Sequence, residues 1–582
     1  MKSLRPLLPY FRPCRRILIL GILCVIMTAI LGLIRPVLIG GAIDDLHDSV
    51  TRQRLMQYGL LIIGVTFVQG LFRYAQRRYL VTMSRHIEYD LRNDFFEHLG
   101  RLDFGFYQKN HTGDLMARAT NDLNAVRMLC GPAIMYSINT LVTGTIALVL
   151  MANVHLGLTL LAASLLPPVV LVTHVFGKRI HVLFNRVQEQ FSELTTKVQE
   201  NLTGARVVRA YARETTEQRD FDRLSTDYVD SNRDLVRWNA AFNPLLQSLV
   251  GIAFVAVLAY GGSLMINGTL TVGEFVMFHF FFGELVWPMI AIGWVINLFQ
   301  RGTASLARIQ SVIETEPKVQ NTADTAGGQP LIGAITFDHL RFAYDDPEAP
   351  EVLSNLSFEA AAGQTVAIVG RTGSGKSTLI SLVPRILQPP PGALFLDGVD
   401  ILHWPLGDLR KGIAMVPQET FLFSTTVREN IAFGKPEADE VSIRRAASLA
   451  GLDEDLSGFP KGLDTMVGER GITLSGGQKQ RVALARAILC DSRILILDDC
   501  LSAVDAHTEE QIMGNLRSVF KGRTVLFVTH RTSAARNADL IVVLDQGRIA
   551  ERGTHDELLE LDGPYADLHR RQQLEEELAA AS

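Results

Sequence analysis

Cysteine is scarce in this chain. Cys14, Cys24, Cys130, Cys490 and Cys500 are the only five in 582 residues, and they form no C-x-x-C pair and no pairing with histidine. A disulfide framework and a zinc site are therefore not expected, and the thiols read as ordinary reduced ones. Net positive charge is also missing: 56 basic side chains face 61 acidic ones, for a formal charge of −5. A nucleic-acid partner would call for a strongly basic surface, so none is expected. Charged residues make up only 20% of the chain while 48% are apolar, which rules out disorder. A soluble chain of this length would form three or four domains of ~150 residues. The mean hydropathy of +0.18 resists that division and places part of the chain in lipid.

The apolar residues are concentrated before residue 300. Ile17–Ile34, Tyr58–Phe72, Ala133–Val154, Leu156–Phe176, Leu245–Ile266 and Phe275–Phe299 are the long runs. A membrane helix needs ~20 mostly apolar residues. Six spans fit, the second only if it continues past Arg73. Basic residues set the orientation. They crowd the N-terminus (Lys2 to Arg16), the connection from Arg77 to Arg127 and the connection from Lys178 to Arg223. The connections at Asp44–Arg54, His155 and Asn267–Gly273 are short and poor in net positive charge. Both termini are thus expected in the cytoplasm. The first run is too long for a cleaved signal peptide, and no A-x-A site follows it. Val81–Gly100 and Arg179–Arg237 are polar and nearly free of proline and glycine. They read as cytoplasmic extensions of the membrane helices, ~20 residues projecting about 30 Å.

Near residue 315 the composition changes. Glu314 to Pro317 and Asn321–Gly333 read as a linker. Beyond it, Ile335–Phe342, Thr365–Val369, Ala393–Leu396, Ile413–Val416, Ile494–Leu497, Thr524–Val528 and Leu540–Leu544 have strand character and alternate with helical stretches. That alternation predicts an α/β domain built largely on a parallel sheet. Gly370, Arg371, Thr372, Gly373, Ser374, Gly375, Lys376 and Ser377 fit G-x-x-x-x-G-K-[ST] between a strand and a helix that opens at Thr378. Backbone N–H groups of such a loop wrap phosphates at a helix N-terminus. Lys376 is placed to reach the β- and γ-phosphates, and Ser377 to bind Mg²⁺. Asp498 ends the apolar strand Ile494–Leu497 and is the candidate second Mg²⁺ ligand. Asp499 stands where the residue that polarises the attacking water is expected.

Leu474, Ser475, Gly476, Gly477 and Gln478 lie between these two motifs in sequence. The combination resembles the ATP-binding cassette transporters, most of all half-size exporters, over essentially the whole chain. The resemblance implies an all-α six-helix transmembrane domain of the type I/IV exporter kind, followed by an α/β P-loop nucleotide-binding domain. The expected boundaries are a membrane domain at 1–315, a linker at 316–333, a cassette at 334–572 and a tail at 573–582. ATP and Mg²⁺ are the implied cofactors. Tyr344 resembles the residue that stacks on adenine, Gln418 the one that senses Mg²⁺ and the membrane domain, and His530 the switch histidine on the γ-phosphate. Asp505, in Ser502-Ala-Val-Asp505, resembles the loop crossing a dimer interface, and Val467 to Arg470 resembles an exporter-specific contact. In the membrane half, Phe106, Thr112 to Asp114, Arg118, Asn121 and Asp122 resemble one coupling region. Asn201 to Gly204 and Val208 to Tyr211 resemble another.

In this family the signature around Ser475 faces the ATP of a second cassette, so a chain with one cassette must pair. The catalytic position usually carries Glu, and here it carries Asp499. Either Asp499 is a tolerated variant, or this is the slow site of an asymmetric pair whose partner supplies the Glu. The resemblance favours the heterodimer over the homodimer. Polar residues inside the spans are candidate cargo contacts: Asn139, His174, Gln247, His279, Glu284 and Asn297. Glu284, with Phe280, Phe281, Phe282 and Trp287, suits a cationic drug; the alternative is a helix–helix contact. The expected function is multidrug-type efflux of small hydrophobic or amphipathic cargo across the plasma membrane, in contact with membrane lipid and in a bacterial inner membrane. A lipid or lipopeptide flippase and an ATP-gated channel remain as alternatives.

Overall fold

Apolar side chains surround the whole circumference of the helix Arg15–Asp48, leaving no face suited to water. This pattern recurs through the first part of the computed structural model, which describes residues 2–48, 51–321, 330–344, 350–468, 471, 474–504 and 506–581. Among the described residues, six helices are long and apolar enough to cross a membrane. They are α1 (Arg15–Asp48), α2 (Arg52–Leu99), α3 (Thr112–Val154), α4 (Leu156–Thr203), α5 (Glu214–Ile266) and α6 (Val272–Ile313). Each contains one of the six apolar runs. At 53 residues, α5 is about 80 Å long against a hydrocarbon core of about 30 Å, so most of it stands outside lipid. The polar stretch Arg179–Arg237 is helical apart from breaks around Gly204 and at Tyr211–Arg213. Two π-helical turns, Arg118–Asp122 and Leu129–Ala133, interrupt α3.

Close backbone approach and a carboxylate fix one end of this unit. A Cβ on Gly273 would lie 2.1 Å from the carbonyl oxygen of Gly40, so α1 and α6 touch there without side chains between them. Asp44 accepts from the Gly273 N–H and the Thr271 hydroxyl, both at 2.7 Å, and Thr271 and Glu274 form a capping box that starts α6. Leu33, Met151, Leu158, Val257, Phe278, Phe281 and Phe282 pack into a buried core. Phe281 and Phe282 therefore support the bundle and are closed to cargo, whereas Phe280 and Trp287 are exposed.

The chain divides into two compact units. One comprises Met1–Gly100 and Thr112–Thr315, the other Arg101–His111 and Glu316–Ser582. A single boundary at 315 does not capture this, because the short helix Phe104–Lys109 belongs with the second unit. Residues 322–329 of the expected linker lie outside the described residues.

The second unit holds two sheets. Strands β1 (Ile335–Phe342), β2 (Leu353–Ala360), β4 (Leu394–Leu396) and β5 (Val399–Asp400) form an antiparallel sheet in the order β2-β1-β4-β5. Strands β3 (Thr365–Gly370), β6 (Ile413–Val416), β7 (Ile494–Asp498), β8 (Thr524–Val528), β9 (Leu540–Asp545) and β10 (Arg548–Gly553) form the other, in the order β10-β9-β3-β8-β7-β6. All pairs in it are parallel except β10 with β9. The runs at 335–342 and 393–396 thus belong to a separate antiparallel sheet. Strands β7 and β8 are buried at every position, as expected of parallel strands covered on both faces. Their carboxyl ends, with that of β3, mark where a ligand would sit.

The nucleotide site and the family it defines

The loop from β3 to helix α7 (Lys376–Leu382) is shaped by glycine. Gly375 has φ +96°, and a Cβ there would lie 2.6 Å from the Leu353 side chain. A Cβ on Gly370 would meet the Leu544 carbonyl oxygen at 2.2 Å. No other residue type fits either position. Lys376 is buried and its ammonium donates to the carbonyl oxygens of Gly370 and Arg371, both at 2.8 Å. Burial holds this ammonium below the ordinary lysine range, and Asp498 and Asp499 act against the shift. The Ser374 hydroxyl is buried with no protein partner, a free donor of the kind a phosphate oxygen would accept from.

The Ser377 hydroxyl donates to Asp498 at 3.2 Å. Burial pushes the Asp498 carboxyl above its usual range, Ser377 opposes the shift and Asp499 adds to it. One cavity of about 270 Å³ is lined by Thr372, Gly373, Gly375, Lys376, Ser377, Thr378, Gln418, Asp498, Asp499 and His530. A phosphate chain fits this donor set. A hydroxyl and a carboxylate already in hydrogen-bond contact, beside Gln418, suit a hard divalent cation such as Mg²⁺. Tyr344 hydrogen-bonds Thr378 through its hydroxyl at 2.9 Å, which seats the ring at the mouth of the loop. Asp499 lies in the left-handed region at φ +46°, with its N–H on Val528 at 3.0 Å and its carbonyl accepting from the Ser502 hydroxyl at 2.9 Å.

The signature residues do not line that cavity. Ser475 and Gly476 are exposed at the N-terminus of helix α8 (Gly476–Leu489). Ser475 and Gln478 form a capping box, and the Gln478 amide also donates to Asp455 at 3.0 Å. Leu474 is buried in the cassette core. Asp505, Glu469 and Arg470, and the side chain of His174, lie outside the described residues.

Two positioning glutamines carry no signal in the sequence. Gln480 donates to the Ser502 hydroxyl at 3.1 Å and accepts from the Ala503 N–H at 3.0 Å, which ties α8 to the loop after Asp499. Gln572, on the C-terminal helix α9 (Pro564–Ala581), donates to the backbone carbonyl of His530 and accepts from the Thr532 N–H at 2.8 Å. In the membrane unit, buried Asp122 accepts from Ser305 at 2.9 Å and from Arg308, which forks onto it. Burial raises its carboxyl, but Arg308 and Ser305 outweigh that and hold it below the usual range. Asn201 and Lys197 converge on Glu217 at 2.7 and 2.6 Å, bracing α4 against α5 beside the turn at Gly204.

A six-span helical unit joined to a phosphate-binding cassette with a signature helix defines an ATP-driven membrane transporter. Comparison with known proteins agrees. The ABC transporter transmembrane region matches residues 18–289, and the ABC transporter domain matches residues 353–502. The chain is 40% identical over 557 residues, 95% of each chain, to YheI of Bacillus subtilis (strain 168), named as a probable multidrug resistance ABC transporter ATP-binding/permease protein. It is 34% identical over 576 residues, 98% of this chain and 95% of the other, to an ATP-dependent lipid A-core flippase of Syntrophus aciditrophicus (strain SB). A solved bacterial Atm1-family ABC exporter with ATP bound superposes with a TM-score of 0.79 at 28% identity, covering 96% of this chain and 98% of that one. The chain belongs to the ABC transporter family. It is an ABC exporter, a multi-pass protein of the plasma membrane that binds ATP and couples its hydrolysis to transport.

Proposed function

We propose that this chain is one half of a heterodimeric exporter that moves hydrophobic or amphipathic compounds of the multidrug type out of a bacterial cell. One observation carries the paired reading: Ser475 and Gly476 are exposed and stand apart from the cavity that holds Lys376 and Asp498. A single chain therefore offers half of each of two sites. Lys376, Ser374 and the loop N–H groups bind and neutralise the phosphates of ATP. Ser377 and Asp498, with Gln418 nearby, would hold Mg²⁺, which would supply charge neutralisation to the phosphates. His530 faces the γ-phosphate position, Asp499 orients the attacking water, and Tyr344 stacks on adenine. Closure of the two cassettes then opens the membrane cavity outward, with both termini in the cytoplasm.

The asymmetric reading rests on Asp499. Its carboxylate is one methylene shorter than that of Glu, and a displacement of ~1 Å at a reacting group can lower turnover about a hundredfold. The test is ATP hydrolysis by the purified chain alone and with Asp499→Glu. The chain alone is expected to dimerise poorly and turn over slowly. A stable homodimer with fast turnover would overturn both the heterodimer and the slow site. A second reading, a lipid flippase, is supported by the 34% identity to the lipid A-core flippase. ATPase stimulation by lipids in preference to drugs would establish it.

A further inference from the structure

The membrane unit contains a polar cavity of about 350 Å³ between α1, α2, α3 and α6. Gln69, Arg73, Gln76, Arg77, Asn139 and Glu284 supply its polar lining. Glu284 is the only carboxylate among the lining residues, and Arg35 holds it in an ion pair at 3.1 Å. The charge that Glu284 would offer a cation is therefore spent. Among the described residues, Arg73 and Arg77 make no ion pair. They stand one turn apart on the same face of α2, where like charges repel. The Gln76 side-chain oxygen is buried without a partner.

Two contacts fix the depth of these arginines. Gln69 donates to the Thr28 carbonyl and abuts Gly32, while Leu80 packs on Gly21. Arg73 lies between those levels. Counting along the helices, it stands about 18 Å from the level of Arg16 and about 30 Å from Arg52 at the other end of α2. The second distance spans the whole of a hydrocarbon layer about 30 Å thick, so Arg73 stands at its cytoplasmic edge and Arg77 one turn beyond it. Two cations without an ion pair at that edge, both lining the cavity, offer their charge at the depth where anionic headgroups sit.

A mostly apolar groove lies along two of the same helices, α1 and α2, lined by Leu31, Leu60, Leu61, Gly64, Val65 and Val68, with Gln57 at its far end. Val68 of the groove and Gln69 of the cavity are consecutive on α2. Leu60, Ile63 and Phe67 beside it are exposed in the single chain, so the groove is open along its length.

We propose that this cavity holds the phosphate or carboxylate headgroup of a membrane-partitioned anionic amphiphile on Arg73 and Arg77, with its alkyl chain in the groove. This rests on the export reading of the membrane unit. It replaces the cationic drug that Glu284 alone would suggest.

The test uses the complex purified from native membranes through this chain, in phosphatidylcholine nanodiscs. ATP turnover is titrated with dodecyl phosphate, dodecyltrimethylammonium and dodecyl maltoside. Dodecyl phosphate is expected to stimulate at the lowest concentration. Arg73→Gln with Arg77→Gln should raise its half-saturating concentration about tenfold to a hundredfold, the worth of a charge-assisted contact. Arg73→Lys with Arg77→Lys should recover most of the response, which a folding defect would not allow. Phosphatidic acid mixed into the nanodisc separates the sources. Stimulation by it identifies a diacyl lipid as the occupant, and stimulation by dodecyl phosphate alone identifies a monoacyl compound. Preference for the cationic amphiphile, or a glutamine double variant that titrates like wild type, would overturn the proposal while leaving export intact. No response to any of the three would overturn the export reading and this proposal with it.

Discussion

Asp498 shows how function and stability oppose each other within one side chain. Burial favours its protonated form in the folded cassette and holds its carboxyl above the ordinary range. Its contribution to stability is therefore full below its unfolded value and is lost as pH rises through the raised folded value. At neutral pH the ionised carboxylate is a cost that nucleotide binding needs. Asp498→Asn should then unfold, without nucleotide, at a temperature equal to or above that of wild type at pH 7. The difference should shrink toward acid pH, and ATP hydrolysis at this chain's own site should fall to background. Each kcal/mol relieved would raise the midpoint by about 2–4 °C in a domain of this size. Scanning calorimetry of both proteins across pH checks the sign; a variant less stable at pH 7 would refute it. The chemistry of Asp498 is legible in sequence because phosphate binding needs contiguous residues, and a strand end and a glycine loop are local patterns. The Arg35–Glu284 pair is not, because its partners lie on α1 and α6 and no local spacing links them. In sequence Glu284 therefore stays open between a cargo contact and a helix–helix contact, and the pair with Arg35 is the second of these.

The loop carrying His530 is held by elements far away in sequence. Gln572 on α9 clamps both the His530 carbonyl and the Thr532 N–H, while Thr532 also meets His569 at 2.9 Å and Arg531 pairs with Glu509. One amide thus sets the position of the histidine without touching nucleotide. Gln572→Ala should lower kcat for ATP at this chain's own site about tenfold by misplacing His530 by a fraction of an ångström, with little change in KM. Gln572→Glu keeps the acceptor for Thr532 but loses the donor to His530, so its defect should be nearly as large. Steady-state kinetics of the two variants, with the thermal midpoint of each, decide it: a lost folded fraction would also lower apparent kcat at unchanged KM, so a lowered kcat counts only where the midpoint is kept. Sequence pattern ends the cassette at 572 and gives residues 573–582 no role, although α9 runs unbroken across that boundary. A lone glutamine in a polar helix carries no local signal, and only the fold reveals its partner. The same limit hides β2 and β10, whose exposed positions alternate with Ser, Asn, Arg and Glu. The long helices are legible because apolar runs, and the near-absence of proline and glycine in Val81–Gly100 and Arg179–Arg237, act over tens of residues.

At the scale of the whole molecule, the exposed signature and the cavity assign different jobs to one chain. If the pair is asymmetric, the cavity beside Asp499 is the slow site, and Ser475 completes the fast site on the partner's phosphates. Variants of this chain should then separate. Lys376→Ala removes phosphate binding at the slow site and should leave a substantial part of the complex's hydrolysis. Ser475→Ala removes a hydroxyl from the fast site and from the cap of α8, and should cost far more, about tenfold or above for a charge-assisted contact to phosphate. In a homodimer every site carries both changes, so Lys376→Ala would abolish turnover and be the more severe of the two. Ser475→Gly separates the lost contact from the lost cap, because glycine is nearly as good an N-cap as threonine. A variant that regains stability but not turnover places the defect at the phosphate. Hydrolysis rates of the three variants in the complex, measured with the thermal midpoint of each, therefore read the symmetry of the assembly directly. Greater damage from Ser475→Ala than from Lys376→Ala is the result a heterodimer requires and a homodimer forbids.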